Sequence, residues 1–355
     1  MGHRERNRCR ERLDVLATAD LDPDEARLAA IDELRRGVGF ERWCWPLTDP
    51  DSGLSTSGIG EFDFWPALVR LVALEEHGDV VCKPRLVVGD RAALALSEAT
   101  EGDLARSSRW RECLNPYGIG DELMTACRDR HGCWGSVELM RDRTDPPFAE
   151  ADAQLLDDVA PTLGTIVRRS LARSWRRDSG VGEPRPPATL ILDADLRPSA
   201  WTPGFRAWQA ELPPAGIDPE MLPTATYEIG ARVLTPAEAA TNLPTRVRLR
   251  TRTGRWSVIE GAPLEGTAAA GVAITVRPAT ADEIADALCK AHGLSRRETE
   301  LVALIRAGLA TSGVAAALRI SPYTVQDHLK AVFEKTGVRS RRELISHLAG
   351  SVAAL

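Results

Sequence analysis

The chain has 355 residues, with 45 lysines and arginines against 51 aspartates and glutamates, and a formal charge of −6 at pH 7. That length predicts two or three domains with full-sized cores, and 43% apolar with 27% charged residues excludes wholesale disorder. No apolar run reaches the ~18 residues of a membrane span, since Arg70 cuts the best stretch at Ala67–Leu74, so a cytoplasmic protein without membrane contact is expected.

Met1–Arg12 is basic but leads into no apolar segment, which argues against a signal peptide, and Arg6 stands where a myristoylation signal needs Ser or Thr. Seven cysteines, an odd number scattered from Cys9 to Cys289, do not form a disulfide framework. Charge is unevenly spread. Residues 294–355 hold nine basic side chains against five acidic, a balance of +4, which leaves −10 for the rest. A basic segment closing an acidic chain points to an anionic partner at that end.

In chain order, Asp22-Pro23 predicts a helix start, followed by Leu28, Ile31 and Leu34 at helical spacing until Gly37. Phe40–Leu47 reads as a strand, and Asp49–Gly53 as its turn. Helices are expected over Phe64–His77 and over 103–113, the latter ending before Asn115-Pro116. Ile119–Arg128 and Cys133–Arg141 read as paired strands, and Ala149–Trp175 as a long helix kinked by Pro161. Residues 176–188, RRDSGVGEPRPPA, read as a linker. A second unit follows, with strands at Thr189–Leu192, Arg246–Arg250, Trp256–Glu260 and Gly271–Val276 and a short helix at Phe205–Leu212. Thr280-x-x-Glu283 is a capping box opening a helix that Gly293 ends.

From Leu294 the pattern becomes four short helices. Ser295-x-x-Glu298 caps the first, and Gly308 stops it. Ser312 is expected to cap the second, and Arg319-Ile320 make a turn. Ser321-Pro322 open the third, in which Val325, Leu329, Val332 and Phe333 form the core stripe. Tyr323, Gln326, Asp327, Lys330 and Glu334 are left outside, Gly337 ends the helix, and Ser340-x-x-Glu343 caps the fourth. A short helix, a tight turn and a capped helix with a polar face form a helix-turn-helix, whose second helix fits the major groove. Gln326 is of the type that reads adenine and Lys330 guanine, and Asp327 is able to accept from a cytosine amino group. Thr324 joins them as a base-reading candidate, while Ser312, Ser321, Tyr323, Lys335, Arg339, Ser340 and Arg341 are candidates for the phosphate backbone.

Leu294–Ala349 resembles the DNA-binding domain of LuxR-type transcriptional regulators. The resemblance rests on Leu294, Arg297-Glu298, Gly308-Leu309, Ala315, Leu318, Ile320-Ser321, Thr324-Val325, His328-Leu329, Phe333, Lys335, Gly337-Val338 and Ser340-Arg341. It covers about one sixth of the chain, and the tail TGVRSRREL separates it from sigma-factor region four. The resemblance implies that Gln326, Asp327 and Lys330 face bases, that Lys335 and Ser340-Arg341 approach the backbone, and that the fourth helix dimerises. Two departures stand out. Ser312-Gly313 replace a usual lysine and glutamate, and Gln326 replaces a common lysine, which predicts weaker charge-driven affinity and more reliance on dimerisation.

Residues 21–175, closing with FAEADAQLLDDVAPTL, resemble a GAF domain. Residues 189–277 resemble a PAS fold through TLILDADLRPSAW, RTGRWSVIEG and AGVAITVRP. Segments such as EATEGDLARSSRWRE and PYGIGDELMTACRDRHGCWGSVEL are similar to an actinobacterial regulator type. The expected fold is therefore multidomain α+β, GAF-like and then PAS-like, joined by a connecting helix at 280–293 to an all-α four-helix LuxR-type domain at 294–355. There is no P-loop, and Asp157-Asp158 lie mid-helix, which argues against a phosphoacceptor receiver.

Trp43, Trp45, Trp65, Trp110 and Trp134 are candidates to line a ligand pocket, against the alternative that they fill the core. Cys127, His131 and Cys133, with Cys113, lack metal-ligand spacing, so neither a metal nor a cofactor is expected. The expected partners are double-stranded DNA, a second copy of the chain, the transcription machinery and a small molecule. The alternatives are an N-terminal enzyme targeted to DNA, or an interaction protein whose helix-turn-helix no longer binds DNA.

Overall fold

A computed structural model of the chain describes residues 3–63, 65–177, 185–214, 221–236, 241–266 and 271–349. The first unit opens with α1 (His3–Leu16), whose charge-dense sequence buries only the stripe Cys9 and Leu13, one turn apart. α2 (Pro23–Gly37) starts at a full capping box, with Asp22 accepting from Glu25 N–H and the Glu25 carboxylate from Asp22 N–H. There follow β1 (Arg42–Thr48), β2 (Ser55–Glu61), α3 (Leu68–Glu76), α4 (Lys83–Val88), β3 (Ala93–Ala95), α5 (Leu96–Ala99), β4 (Ile119–Asp129), β5 (Gly132–Asp142) and α6 (Glu150–Arg177).

All pairings are antiparallel, in the order β2-β1-β5-β4-β3. Alternate residues of β4 enter different cores. Leu123 and Cys127 pack with α6, while Met124 and Ala126 pack with Val81, Leu86 and Leu96 on the other face. Gly164 permits the close approach of α6 to this sheet, because a Cβ there would sit 2.9 Å from the Arg128 carbonyl carbon.

The second unit comprises β6 (Ala188–Asp193), β7 (Pro198–Trp201), α7 (Phe205–Gln209), α8 (Thr224–Leu234), β8 (Arg246–Arg250), β9 (Trp256–Pro263) and β10 (Gly271–Pro278). Its antiparallel sheet runs β7-β6-β10-β9-β8, the same relative order as the first. The two units share a core, in which Leu54, Leu68 and Val72 of the first join Ile229, Leu249 and Ile274 of the second. Buried charge pairs cross the same seam. Arg232 grips both oxygens of Glu76 at 2.8 and 2.9 Å, and the Lys83 ammonium meets Glu228.

α9 (Ala281–Ala291) then leads into α10 (Arg296–Arg306), α11 (Thr311–Leu318), α12 (Pro322–Thr336) and α13 (Arg341–Leu348). The chain is thus an N-terminal α/β region with two antiparallel sheets followed by a helical domain.

Several elements differ from expectation. The helix expected at 103–113 is instead two separate helical turns, Leu104–Arg106 and Trp110–Leu114. The Asp79 carboxylate stops it by accepting from the Ser107 hydroxyl at 2.5 Å and from the N–H groups of Ser108 and Arg109. Pro66 confines Trp65–Ala67 to a single tight turn before α3, and the expected helix start Phe64 lies outside the described residues. α6 runs through Pro161 without ending. Ser312 does not cap α11, whose N-cap is Ala310 with no side-chain bond; Ser312 is an exposed first-turn residue. The linker expected over 176–188 lies outside the described residues at 178–184. Among the described residues no helix is long and apolar enough to cross a membrane.

Candidate nucleic-acid interface

The helical domain is built by local signals. Ser295 and Glu298 form a reciprocal capping box, Ser321 Oγ accepts from Thr324 N–H at 3.0 Å, and Ser340 Oγ from Glu343 N–H at 3.2 Å. Val325, Leu329 and Val332 are buried on the inner face of α12, packing with residues of α10, α11 and α13. The turn between α11 and α12 passes through Arg319 in the left-handed region at φ 54°, which closes α11 through an N–H bond to the Ala316 carbonyl.

This packing leaves Tyr323, Gln326, Asp327 and Lys330 exposed on the outer face of α12, with Tyr323 77% exposed. Thr324 is half-buried, its hydroxyl 2.9 Å from that of Ser321. Among the described residues, the side chains of Arg319, Lys330, Arg339 and Arg342 make no hydrogen bond or ion pair. Other cations of the domain are engaged. Lys335 donates to both oxygens of buried Glu298 at 2.8 and 2.6 Å, Arg296 and Arg297 pair with Glu300, and Arg306 with Asp282. Arg341 donates to the Thr311 hydroxyl at 3.1 Å, tying α13 to α11. Lys335 and Arg341 therefore already have partners within the domain, whereas Arg339 and Lys330 are free.

α9 joins this domain to both sheets. Ile284, Leu288 and Cys289 pack with Val332, Leu344 and Leu348, and Trp175 of α6 and Trp256 of β9 border the same cluster. On the opposite side, Arg248 of β8 is the centre of a three-way junction. It holds Asp49 with two bonds at 2.8 and 3.1 Å, Asp51 at 2.5 Å, and Asp286 of α9 at 2.5 Å. Lys290 of α9 reaches Asp51 and Asp286 as well.

A cavity of about 480 Å³ lies between β2 and α3 of the first unit and α8 of the second. Of the five candidate tryptophans only Trp65 borders it. Trp43, Trp45 and Trp134 are fully buried in the core beneath α2 and α6, and half-buried Trp110 donates to the Ile119 carbonyl at 3.1 Å. The cavity's polar residues, Ser55, Glu75, Lys83, Glu138 and Glu228, were missed in sequence. The local signal for one of them was Lys83-Pro84, a helix start.

Burial pushes the Cys113 thiol up to about 11 and raises Cys127 and Cys133 as well, so all three are neutral thiols near pH 7 rather than reactive thiolates. Among the described residues no three His, Cys, Asp or Glu converge as metal ligands.

A helix-turn-helix with a capped, outward-facing second helix and free cations beside it defines a DNA-binding domain. Residues 292–348 match the family model described as bacterial regulatory proteins, luxR family. The chain carries a LuxR-family helix-turn-helix domain. Comparison with curated proteins gives no match. Among solved structures, the chain is similar to Escherichia coli SdiA, with a TM-score of 0.32, 10% identity and 96% of each chain covered. It is also similar to SdiA in complex with octanoyl-rac-glycerol, with a TM-score of 0.34, 10% identity, and 96% and 93% covered. A third similarity is to the DhaR(N)–DhaL complex of E. coli, with a TM-score of 0.22, 15% identity, and 79% and 91% covered.

Proposed function

We propose that the chain is a sequence-specific, dimeric transcriptional regulator. In this reading a GAF-like unit (21–175) and a PAS-like unit (189–277) respond to a small molecule, and the connecting helix at 280–293 passes the response to the reader at 294–355. The observation that carries it is the outer face of α12. Gln326, Asp327 and Lys330 project from a LuxR-family domain with nothing among the described residues covering them, flanked by free Arg319, Arg339 and Arg342. Thr324, Gln326, Asp327 and Lys330 read bases; Ser321, Tyr323, Arg339 and Ser340 hold phosphates, with Ser312, Lys335 and Arg341 at the edge of the footprint. The shared strand order of the two sheets supports reading them as related sensory folds. The junction at Arg248 and the contacts of α9 with both units supply a physical route from sheet to reader.

The test is capture of genomic DNA fragments by the purified chain, followed by footprinting. Lys330→Ala should cost about 1–3 kcal/mol at the preferred site and relax base choice at one position, whereas Arg339→Ala should weaken all sequences alike. A footprint of Lys330→Ala identical to the parent's refutes the assigned face. Unchanged mobility of every fragment at low salt favours the interaction-protein reading instead.

A further inference from the structure

The cavity between the two units has a composition that selects its occupant. One wall is apolar, with Leu68, Leu71 and Val72, and with Phe62 and Trp65 whose ring centroids lie 4.2 Å apart. The charged side chains that border it are three carboxylates and one lysine. Lys83 is already committed, its ammonium binding Glu228 and lying 3.3 Å from Ser55 Oγ. Both oxygens of Glu228 are also used, because Ser55 donates its N–H at 2.6 Å and its hydroxyl at 2.7 Å.

Glu75 and Glu138 remain. They are 4% and 6% exposed, and both border the cavity. One oxygen of Glu75 accepts the Lys83 N–H at 2.8 Å, and one oxygen of Glu138 accepts the Cys44 thiol at 3.0 Å. Among the described residues the other oxygen of each has no partner. Among the described residues neither Arg109, which pairs with Glu122, nor Arg232, which pairs with Glu76, makes a hydrogen bond to Glu75 or Glu138. These two oxygens are not sealed in the protein interior but accessible at the cavity, so a ligand that brings N–H donors and a positive charge can reach both.

We infer that this cavity binds a small amphipathic molecule carrying a protonated amine, its ammonium between Glu75 and Glu138 and its apolar body against Phe62 and Trp65. The volume suits a small molecule, and the aromatic pair adds a favourable face for a cation or a ring. A carboxylate ligand meets like charge at the same place, and a neutral alcohol supplies a donor without the charge. The regulatory consequence rests on the sensory reading above; the binding itself does not.

Protonation supports the same geometry. Burial raises the Glu138 carboxyl and the Glu75 charge raises it further, against the lowering influence of Arg109 and Lys83 and the Cys44 bond. Lys83 stays charged, because Glu228, Glu75 and Glu76 overcome the effect of burial, and burial keeps the Cys44 thiol neutral. Glu228 stays ionised against its own burial through Lys83 and Ser55. An ammonium seated beside Glu138 favours its ionised form, so affinity rises as pH rises from the acid side toward neutrality.

The experiment is calorimetric titration of the full chain with an isosteric series: 4-phenylbutylamine, 4-phenylbutanol and 4-phenylbutanoate. The amine is expected to bind one per chain, at least tenfold tighter than the alcohol, with the carboxylate silent. Glu138→Gln and Glu75→Gln should each weaken the amine at least tenfold. Gly58→Trp, which places a side chain on the cavity face of edge strand β2 beside Pro46 with both carboxylates intact, should abolish binding even if the glutamine variants fail to fold. Equal or tighter binding of the carboxylate, or parent affinity in Gly58→Trp, overturns the inference. Loss of DNA binding leaves this result standing, and loss of amine binding leaves the DNA reading standing.

Discussion

Arg248→Met removes the cation at the centre of the three-way junction while keeping much of its volume. The guanidinium makes four side-chain hydrogen bonds, two to Asp49 and one each to Asp51 and Asp286. Their loss is felt unequally. Asp51 and Asp286 are 37% and 42% exposed and both keep Lys290, so water and the lysine compensate, and each contributes below about 1 kcal/mol. Asp49 is 3% exposed and has no such recourse. It retains backbone N–H donors from Asp51 at 2.9 Å and Arg248 at 2.8 Å, which stabilise the charge but do not neutralise it. Removing one partner of a buried pair costs about 3–5 kcal/mol, and the retained donors place the expected loss near 3 kcal/mol on that scale. That is a large fraction of the ~5–15 kcal/mol by which a domain is ordinarily stable.

Asp49→Asn in the same background removes the stranded charge, although its single amide oxygen accepts from only one of the two N–H groups, which bond different carboxylate oxygens. The double variant should therefore recover part of the loss, at least about 1 kcal/mol relative to Arg248→Met. Urea unfolding followed by far-ultraviolet circular dichroism measures both proteins. Arg248→Met within about 0.5 kcal/mol of the parent, as an ordinary surface change would be, refutes the assignment, as does a double variant no better than the single.

Glu283, the capping-box partner at the start of α9, has its carboxyl held at about 2 chiefly by hydrogen bonds from Arg277. A depressed carboxyl contributes stability that is present above the ordinary value near 4.5 and is lost as pH falls through about 2. Melting curves of Glu283→Gln should therefore lie below the parent's at pH 7 and merge with them near pH 2; parallel curves exclude the role. Glu298→Ala removes a capping-box member and the partner of Lys335 together, which should cost the reader about 1–2 kcal/mol in thermal unfolding. It also frees the Lys335 ammonium, so the salt dependence of DNA binding should steepen; an unchanged slope places Lys335 outside the footprint. In the parent, three free arginines per reader, with Lys330 given to bases, predict a slope of log affinity against log salt of about −2.7, or about −5.4 for a dimer. A slope of −10 or steeper would require cations from the N-terminal units.

The reader was legible in sequence because its determinants are local. Ser295, Ser321 and Ser340 each act on a residue three positions away, and the stripe Val325, Leu329 and Val332 needs only helical periodicity. The N-terminal region is held by pairs far apart in the chain. Arg248 and Asp49 are 199 residues apart, and Lys83 and Glu228 are 145 apart. No periodicity reports such a pair. α8 escaped detection because residues 225–232 are buried all round, so TATYEIGARVL shows no polar face to set a helical period. β3 has three residues and exists only through the pairing of Ala93, Leu94 and Ala95 with Thr125, Met124 and Leu123 of β4. The cavity was sought among tryptophans, whose bulk marks the centre of a core as readily as the wall of a pocket. Its defining feature is a surplus of buried carboxylate that became visible only when α3, β5 and α8 met.

The charge balance acquires a finer meaning at this point. The +4 of residues 294–355 is not spread over the reader, because Arg296, Arg297, Lys335 and Arg306 are each held by a carboxylate. With Arg341 tied to Thr311, what remains is Arg319, Lys330, Arg339 and Arg342, placed in the turn before α12, on its outer face, in the segment after it and in the first turn of α13. The −10 of the rest is also structured. Part of it is gathered at Asp49, Asp51 and Asp286, where Arg248 and Lys290 bind two units to α9, and part of it borders a cavity that still has room for a cation. The cavity borders α3 and α8 together, and α8 packs against β9 and shares the second unit's core with β8, the strand that carries Arg248. In the dimeric regulator proposed above, an ammonium at Glu138 would therefore act on the spacing of two recognition helices through packed β-strands and one buried guanidinium.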